Sequence, residues 1–239
     1  MQGRPFIVAI DGPAGAGKST AARRLAARLG FAMVDTGAIY RAVALAASRA
    51  GIAYDDDAAL APLLATVHIA FEAPPPGEPL GSQKVLLGGE DVSQAIRTPA
   101  MSLGASAVSA RPVVRSALLE LQRRLAAAPS NRGAVLEGRD IGTVVFPDAD
   151  AKFFLTAAPE VRAQRRYAEL QAKGGKETLA EVLADQTKRD RDDSARAVAP
   201  LRPADDALIF DSSRMDLEAV VEAFARAVAA RLSAGAPAS

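Results

Sequence analysis

Short apolar runs alternate along the chain with segments whose apolar residues follow a helical period. Five runs, FIVAI, FAMVD, AVLEG, AKFFLT and ALIFD, have the composition of strands that are buried on both faces. Because Ala-, Leu- and Arg-rich helical segments lie between most of them, the order of elements predicts an α/β fold with a parallel sheet covered by helices. Ligands of such sheets bind beyond the carboxyl ends of the strands.

Two regions depart from this alternation. Between residues 66 and 107, HIAFEA and QKVLLG predict two strands joined by a Pro- and Gly-rich loop, GGED predicts a turn, and DVSQAI predicts a third short strand or a helix. We interpret this region as a small antiparallel insert in a core formed by residues 1–65 and 108–239. Within the core, residues 162–200 are helical in pattern, densely charged and interrupted by KGGK.

Composition narrows the chemistry that is available to the chain. Its 239 residues suit one large domain with insertions, and 29 Lys and Arg against 28 Asp and Glu give no general electrostatic basis for binding nucleic acid or membrane. The absence of cysteine excludes disulfides, thiolate catalysis and Cys-ligated zinc, and the single histidine argues against a His-based metal site. Without a long apolar stretch or a signal-peptide pattern, we expect a soluble cytoplasmic protein.

The segment GPAGAGKS fits the phosphate-binding pattern G-x-x-x-x-G-K-[S/T], and it lies between a predicted strand and a predicted helix. Glycines let successive backbone N–H groups point into one concavity, and the helix N-terminus adds positive charge. Lys18 would reach the β- and γ-phosphates, and the Ser19 hydroxyl would bind Mg²⁺. We therefore predict a site for ATP and Mg²⁺. Its residues are Gly12, Pro13, Ala14, Gly15, Ala16, Gly17, Lys18, Ser19 and Thr20.

Hydroxyl and charged side chains follow two further strands at the predicted ligand edge. Thr36, Tyr40 and Arg41 come after the second run and open a helix, and Arg139 and Asp140 come after the third. Each of these features alone also fits ordinary capping or a surface ion pair. Together they favour an anionic acceptor, and the absence of a guanine-reading NKxD motif argues against a GTPase.

The charged segment carries arginines at regular intervals. Arg189, Asp193 and Arg196 are spaced i, i+4, i+7, which predicts one helix face. An isolated pair at i, i+4 contributes about 0.3–0.5 kcal/mol, so stability is a weak reason for this arrangement. A second cluster lies on the preceding helix at Arg162, Arg165 and Arg166. The two helices predict a lid that closes over polyphosphate, adds positive charge and excludes water.

Five segments form a more specific pattern: IDGPAGAGKST, DTGAIYRA, GEDVSQAIRT, EGRDIGTVVFPDA and RDDSARAVAPL. Together they resemble the bacterial cytidylate kinases, a family of nucleoside monophosphate kinases, from about residue 6 to about residue 213. The resemblance implies a P-loop NTPase-type core, a monophosphate-binding insert, a mobile helical lid and a monomer. It also implies ATP with Mg²⁺ as donor and CMP or dCMP as acceptor.

The resemblance further implies a role for each matching residue. The acceptor phosphate is held by Thr36, Arg41, Arg139 and Arg196, with Tyr40 beside them. The cytosine edge is read by Ser106, Arg115 and Asp140. Arg189 and Asp193 lie near the sugar hydroxyls, and Arg165 lies against ATP. The implied catalytic residues are Lys18, Arg139, Arg165, Arg189 and Arg196.

The chemistry of cytosine agrees with a carboxylate–arginine pair. A carboxylate accepts a hydrogen bond from the exocyclic amine, while an arginine donates to N3 or O2. Uracil carries a carbonyl in place of the amine, so it would leave the Asp140 carboxylate without a donor. We therefore expect a preference for CMP and dCMP over UMP. Two alternatives stay open, namely a kinase for UMP, AMP or shikimate, and a regulatory P-loop ATPase without a small acceptor.

Overall fold

The computed structural model describes residues 4–72, 83–128, 131–172, 174–196 and 198–234. The strands in these ranges are β1 (Phe6–Asp11), β2 (Ala32–Asp35), β3 (Ile69–Glu72), β4 (Lys84–Leu87), β5 (Glu90–Asp91), β6 (Gly133–Glu137), β7 (Ala151–Thr156) and β8 (Leu208–Asp211). The α-helices are α1 (Lys18–Leu29), α2 (Thr36–Arg49), α3 (Asp57–Thr66), α4 (Pro99–Ser109), α5 (Pro112–Ala126), α6 (Pro159–Gln171), α7 (Leu179–Ser194) and α8 (Leu217–Ala234). Among the helices of these ranges, none is long and apolar enough to cross a bilayer.

The predicted parallel sheet is present, and all five apolar runs form its strands. Its order is β2-β6-β1-β7-β8. The strand β1 pairs in parallel with β6, where Val8 lies opposite Val135, and with β7, where Val8 lies opposite Ala151. Phe153 of β7 stacks on Phe224 of α8 with ring centroids 4.2 Å apart, which anchors that helix on the sheet. The α/β fold class is therefore confirmed, and the carboxyl ends of β1, β6 and β7 meet at one edge.

The chain forms two compact units. The first contains the described residues up to Ala32 and from Asn131, and the second contains those from Met33 to Ala128. The second unit holds the antiparallel sheet β3-β4-β5, in which Ile69 lies opposite Leu87. DVSQAI, for which the pattern left a strand and a helix open, has its first residue in β5 and then forms a 3₁₀ helix at Ala95–Arg97. The predicted Pro- and Gly-rich loop at 73–82 lies outside the described residues.

The charged segment forms two helices, α6 and α7, in the first unit. A capping box begins α7: the Thr178 hydroxyl accepts a hydrogen bond from the backbone N–H of Glu181, whose carboxylate accepts one from the N–H of Thr178. This reciprocal pair satisfies two N–H groups at the start of α7 that have no partner within the helix.

The position of Arg196 differs from the prediction. The helix α7 ends at Ser194, so Arg196 lies beyond its last turn and does not share a helix face with Asp193. The chain turns back here, because the backbone N–H of Leu201 donates to the carbonyl of Asp193 at 2.9 Å. Pro200 also disfavours a continued helix, since proline lacks the N–H that a helix requires.

Candidate active site

The predicted phosphate-binding loop connects β1 to α1. Gly12 has φ +143°, and a Cβ at this position would lie 2.0 Å from the carbonyl oxygen of Leu155 in β7. Because no other residue fits so close to a neighbouring strand, glycine is required here. Lys18 is the first residue of α1, and its Nζ donates to the carbonyl of Pro13 at 2.7 Å. All nine predicted residues from Gly12 to Thr20 lie in this loop and the first turn of α1.

Lys18 lies buried among further charges. Burial lowers the pKa of Lys18, and the charges of Arg139 and Arg189 lower it further, against the opposite influence of Glu137 and Asp11. Three of the predicted catalytic residues therefore act on one another electrostatically at the loop. A polyphosphate would relieve this concentration of positive charge, because an adjacent negative charge stabilises the protonated amine.

Ser19 faces a carboxylate that the sequence-based prediction did not include. Its hydroxyl donates to Glu137 Oε1 at 2.8 Å, and Glu137 is the last residue of β6. Hydroxyl and carboxylate oxygens are hard ligands that suit Mg²⁺, so the two side chains fit the metal that accompanies a nucleotide. In the segment AVLEG the apolar run is followed directly by Glu137, which could have indicated this carboxylate. That Glu137 lies beside the phosphate loop, however, follows only from the pairing of β6 with β1.

Asp11 is a second carboxylate that the prediction omits. It ends β1, and its two oxygens accept hydrogen bonds from the backbone N–H groups of Ile141 and Gly142, each at 2.8 Å. The pKa of Asp11 is raised to about 7, chiefly by burial and also by the charge of Asp140, although the two hydrogen bonds and Lys18 act to lower it. Asp140 directly precedes the short π-helix Ile141–Val145 to which Asp11 binds.

Arg139, Asp193 and Arg196 form an ion cluster in the first unit. Arg139 Nε donates to Asp193 Oδ2 at 2.8 Å, and its Nη1 donates to the carbonyl of Gly12 at 3.1 Å. Arg196 Nη2 lies 2.5 Å from Asp193 Oδ1. Burial alone would raise the pKa of Asp193, but the charges of Arg139, Arg196 and Arg189 outweigh burial and hold the pKa below its usual value. The cluster therefore joins the last turn of α7, and Arg196 just beyond it, to the phosphate loop.

The Oδ1 atom of Asp193 contacts Arg196 but accepts no regular hydrogen bond from the described residues. Its Oδ1 is buried and makes an ion pair with Arg196, but this contact lacks hydrogen-bond geometry, and Oδ1 has no hydrogen-bond partner among the residues that the structure describes. The charge of Arg196 therefore offsets part of the cost of burying this oxygen.

The three arginines predicted as a cluster on α6 have separate partners. Arg165 donates to the hydroxyl and the carbonyl of Ser212, at 3.0 and 2.7 Å. Arg166 pairs with Glu169 on the surface of the same helix. Arg165 therefore lies near the loop that follows β8, whereas Arg166 makes an ordinary surface ion pair.

Arg162 connects the lid helices to the phosphate loop. It is buried, its Nη1 donates to the carbonyl of Ala14 at 3.0 Å, and it pairs with Asp190 of α7 at 2.6 Å. Gln186 of α7 also lies beside the loop, since its Nε2 would be 2.8 Å from a Cβ at Gly15. Both lid helices thus contact the backbone that would bind phosphate.

In the second unit, Thr36, Tyr40 and Arg41 lie in the first two turns of α2. Asp35 caps this helix by accepting from the N–H of Ala38 at 2.8 Å, and its Oδ2 lies 3.4 Å from Arg41 Nη2. Arg41 Nε is buried and has no hydrogen-bond partner within the described ranges. The N-terminus of α2 and an incompletely paired arginine therefore lie close together, and both are groups that bind anions.

Ser106 and Arg115, also in the second unit, lie on successive helices. Ser106 is a half-buried residue of α4, and its carbonyl accepts from the Ser109 hydroxyl at 3.0 Å. Arg115 of α5 donates to the carbonyl of Ser109 at 3.4 Å. Ser109 thus contacts both predicted base-reading residues: its hydroxyl binds the backbone of Ser106, and its carbonyl binds the side chain of Arg115.

The parallel sheet, the phosphate-binding loop and the lysine at the start of α1 define a P-loop phosphotransferase. The cytidylate kinase family model matches residues 8–230. The chain is 56% identical to the cytidylate kinase of Geobacter sulfurreducens over 92% of its length and 91% of that protein, and 48% identical to the cytidylate kinase of Pseudomonas aeruginosa over 95% and 96%. The chain belongs to the cytidylate kinase family and is a nucleoside monophosphate kinase.

A solved structure shows the same fold at much lower identity. An uncharacterized protein from Eubacterium ventriosum matches 94% of this chain and 98% of its own, with a TM-score of 0.50 and 11% identity. This likeness concerns the fold alone.

Proposed function

We propose that this protein transfers the γ-phosphoryl group of ATP to CMP and dCMP, which gives ADP with CDP or dCDP. The observation that carries the proposal is Arg139, whose guanidinium joins Gly12 of the phosphate loop to Asp193 of the lid. Phosphoryl transfer depends on positive charge held around the transferring group, and a regulatory ATPase would not need this link to a second charged segment. Membership of the cytidylate kinase family supports a pyrimidine acceptor over AMP or shikimate.

The donor nucleotide binds along the loop from Gly12 to Thr20, with its phosphates on backbone N–H groups and Lys18. Ser19 and Glu137 would hold Mg²⁺, which when bound neutralises charge on the phosphate oxygens. Arg165 lies against the nucleotide, and the 2.7 Å hydrogen bond to the Ser212 carbonyl supports its placement.

The acceptor phosphate is bound by Arg41, Arg139 and Arg196, with Thr36 and Tyr40 beside it. The incompletely paired Nε of Arg41 supports this role. Arg189 and Asp193 bind the sugar. The buried position of Asp193 between Arg139 and Arg196, beside the phosphate loop, supports this role.

The base is read by Asp140 and Arg115, with Ser106 beside them. The Asp140 carboxylate accepts from the cytosine amine and Arg115 donates to the ring, so uracil is disfavoured. One ionised oxygen of the acceptor phosphate attacks the γ-phosphorus in line. No strong general base and no covalent intermediate are required.

The test is a coupled assay of ADP formation with CMP, dCMP, UMP, AMP and shikimate in parallel, together with a sample that contains ATP alone. The proposal predicts fast ADP formation with CMP and dCMP and slow formation with the others. ATP hydrolysis that no acceptor stimulates would favour the regulatory ATPase instead. Gel filtration with light scattering tests the further proposal that the enzyme is a monomer, and cell fractionation tests its cytoplasmic location.

A further inference from the structure

Asp11 has no part in the transfer described above, although it is a buried carboxylate at the end of β1. Its side chain is surrounded by protein, with 4% of the residue exposed. Burying a carboxylate is costly unless hydrogen bonds compensate it. Here both oxygens are used, one for the N–H of Ile141 and one for the N–H of Gly142.

These two hydrogen bonds determine the shape of the segment that follows Asp140. The carbonyl of Asp140 accepts from the N–H groups of Val144 and Val145, at 2.9 and 3.2 Å, which closes the short π-helix. The N–H groups of Ile141 and Gly142 come first in this helix and have no partner within it. Asp11 supplies both acceptors, so it holds the helix at the point where the Asp140 backbone enters it.

The contact between Asp11 and Gly142 leaves little free space. A Cβ at Gly142 would lie 3.4 Å from Asp11 Oδ2 and 3.2 Å from Lys152 Cδ. The same segment is held at its other end, where Arg139 donates to the carbonyl of Gly12. Two adjacent residues at the end of β1 therefore fix both ends of the segment from Arg139 to Gly142.

We propose that Asp11 is a positioning residue for acceptor recognition, which holds the segment Arg139–Gly142 so that Asp140 reads the cytosine edge. The inference rests on the proposed function, in which Asp140 binds the base. It assigns to Asp11 an effect on the choice of acceptor, beyond its charge interaction with Lys18.

Asp11→Asn tests the proposal, because the amide keeps the size of the side chain but presents N–H to one of the two backbone donors. We expect the ratio of kcat/KM for CMP to that for UMP to fall about tenfold, the cost of one charge-assisted hydrogen bond. The KM for CMP rises more than the KM for ATP, and any effect of the lost charge on Lys18 cancels in the CMP-to-UMP ratio, because ATP is the donor in both assays. Amide hydrogen exchange at Ile141 and Gly142 becomes faster.

Asp150→Asn is the matched control. Asp150 also accepts a backbone hydrogen bond from β1, from the N–H of Ile7 at 2.7 Å, but at the opposite end of the strand. It pairs with Arg4 on the surface. A loss of thermal stability alone would appear in both variants, whereas a changed acceptor preference would appear in Asp11→Asn only.

Three results decide the matter. An Asp11→Asn enzyme with an unchanged CMP-to-UMP ratio, or with unchanged exchange at Ile141 and Gly142, overturns the role of Asp11 and leaves the proposed function intact. A wild-type enzyme that does not phosphorylate CMP contradicts the proposed function and this role with it. If Asp11→Asn does not fold, Gly142→Val places a larger side chain against Asp11 Oδ2 and Lys152, so it perturbs the same contact from the other side, and the same ratio decides.

Discussion

Two arginine–carboxylate contacts of the molecule, one in each unit, have similar distances and very different surroundings. In the second unit, Arg49 makes two hydrogen bonds to Glu90 at 2.7 and 2.8 Å, and the Glu90 side chain is 57% exposed. In the first unit, Arg139 donates to Asp193 at 2.8 Å, and the Asp193 side chain is 2% exposed. The donor–acceptor distances therefore do not distinguish the two contacts, whereas the burial of the carboxylate does.

The two contacts also differ in what their formation costs the protein. Water screens the attraction between Arg49 and Glu90, so this pair contributes little to the free energy of unfolding. In the buried cluster one carboxylate lies between Arg139 and Arg196, and Lys18 is close enough for Arg139 to lower its pKa. Stability is a weak reason for burying so many charged side chains, because the cost of removing them from water can exceed the gain from pairing them. Under the proposed function, the phosphates of the two substrates supply a further reason.

The largest effect is expected at Lys18, the buried lysine of the phosphate loop. Lys18→Ala should reduce transfer to CMP below about one thousandth of the wild-type rate, because charge on the transferring group loses its closest partner. Single-turnover assays with ATP and CMP measure this rate. Retained turnover would remove the phosphate loop from the mechanism.

Asp140→Ala should lower kcat/KM for CMP by about 100-fold, since the cytosine amine loses its acceptor. The dissociation constant for ATP should change by less than about twofold, because Asp140 does not contact the donor. Isothermal titration with ATP and steady-state kinetics with CMP separate the two effects. An equal loss of both would exclude Asp140 from base recognition.

Asp193→Asn should destabilise the protein by about 3 kcal/mol at neutral pH, because two buried arginines lose their carboxylate. The pKa of Asp193 is lower in the folded chain than its usual 3.8, so its contribution is present above that value and is lost as the pH falls through the folded pKa. Urea titrations of wild type and variant should therefore differ at pH 7, and the difference should begin to shrink only below about pH 4, as the pH falls toward the folded pKa. A difference that persists in acid would show that lost packing, rather than charge, is responsible.

The smallest effect is expected for Glu90→Gln, which removes the exposed pair with Arg49. Neither the melting temperature nor kcat/KM for CMP should change measurably, because both side chains are solvated. Differential scanning calorimetry provides the comparison with Asp193→Asn. A loss of stability comparable to that of Asp193→Asn would show that burial does not separate the two contacts.

The sequence was sufficient for features that depend on local pattern. The strand, glycine turn and helix around Lys18 follow from a motif of a few residues, and the apolar runs of the sheet follow from composition. The sequence analysis did not include Glu137 and Asp11, because in the sequence each is only an acidic residue at the end of a predicted strand. Their place beside the phosphate loop follows from the pairing of β6 with β1. Arg196 was placed on a helix that ends before it, since that end depends on the hydrogen bond from Leu201 to Asp193. The hydrophobic periodicity of a sequence predicts individual helices and strands, but it does not predict which distant segments pair with one another.

Arg139→Met provides the most direct test, because it removes the charge that joins the phosphate loop to the lid but keeps a long apolar side chain. Rapid-quench measurement of CDP formation should show at least about a thousandfold loss relative to wild type, while Arg49→Met, the matched exposed arginine, keeps its full rate. If Arg139→Met forms CDP within about tenfold of the wild-type rate, the buried cluster serves folding rather than phosphoryl transfer.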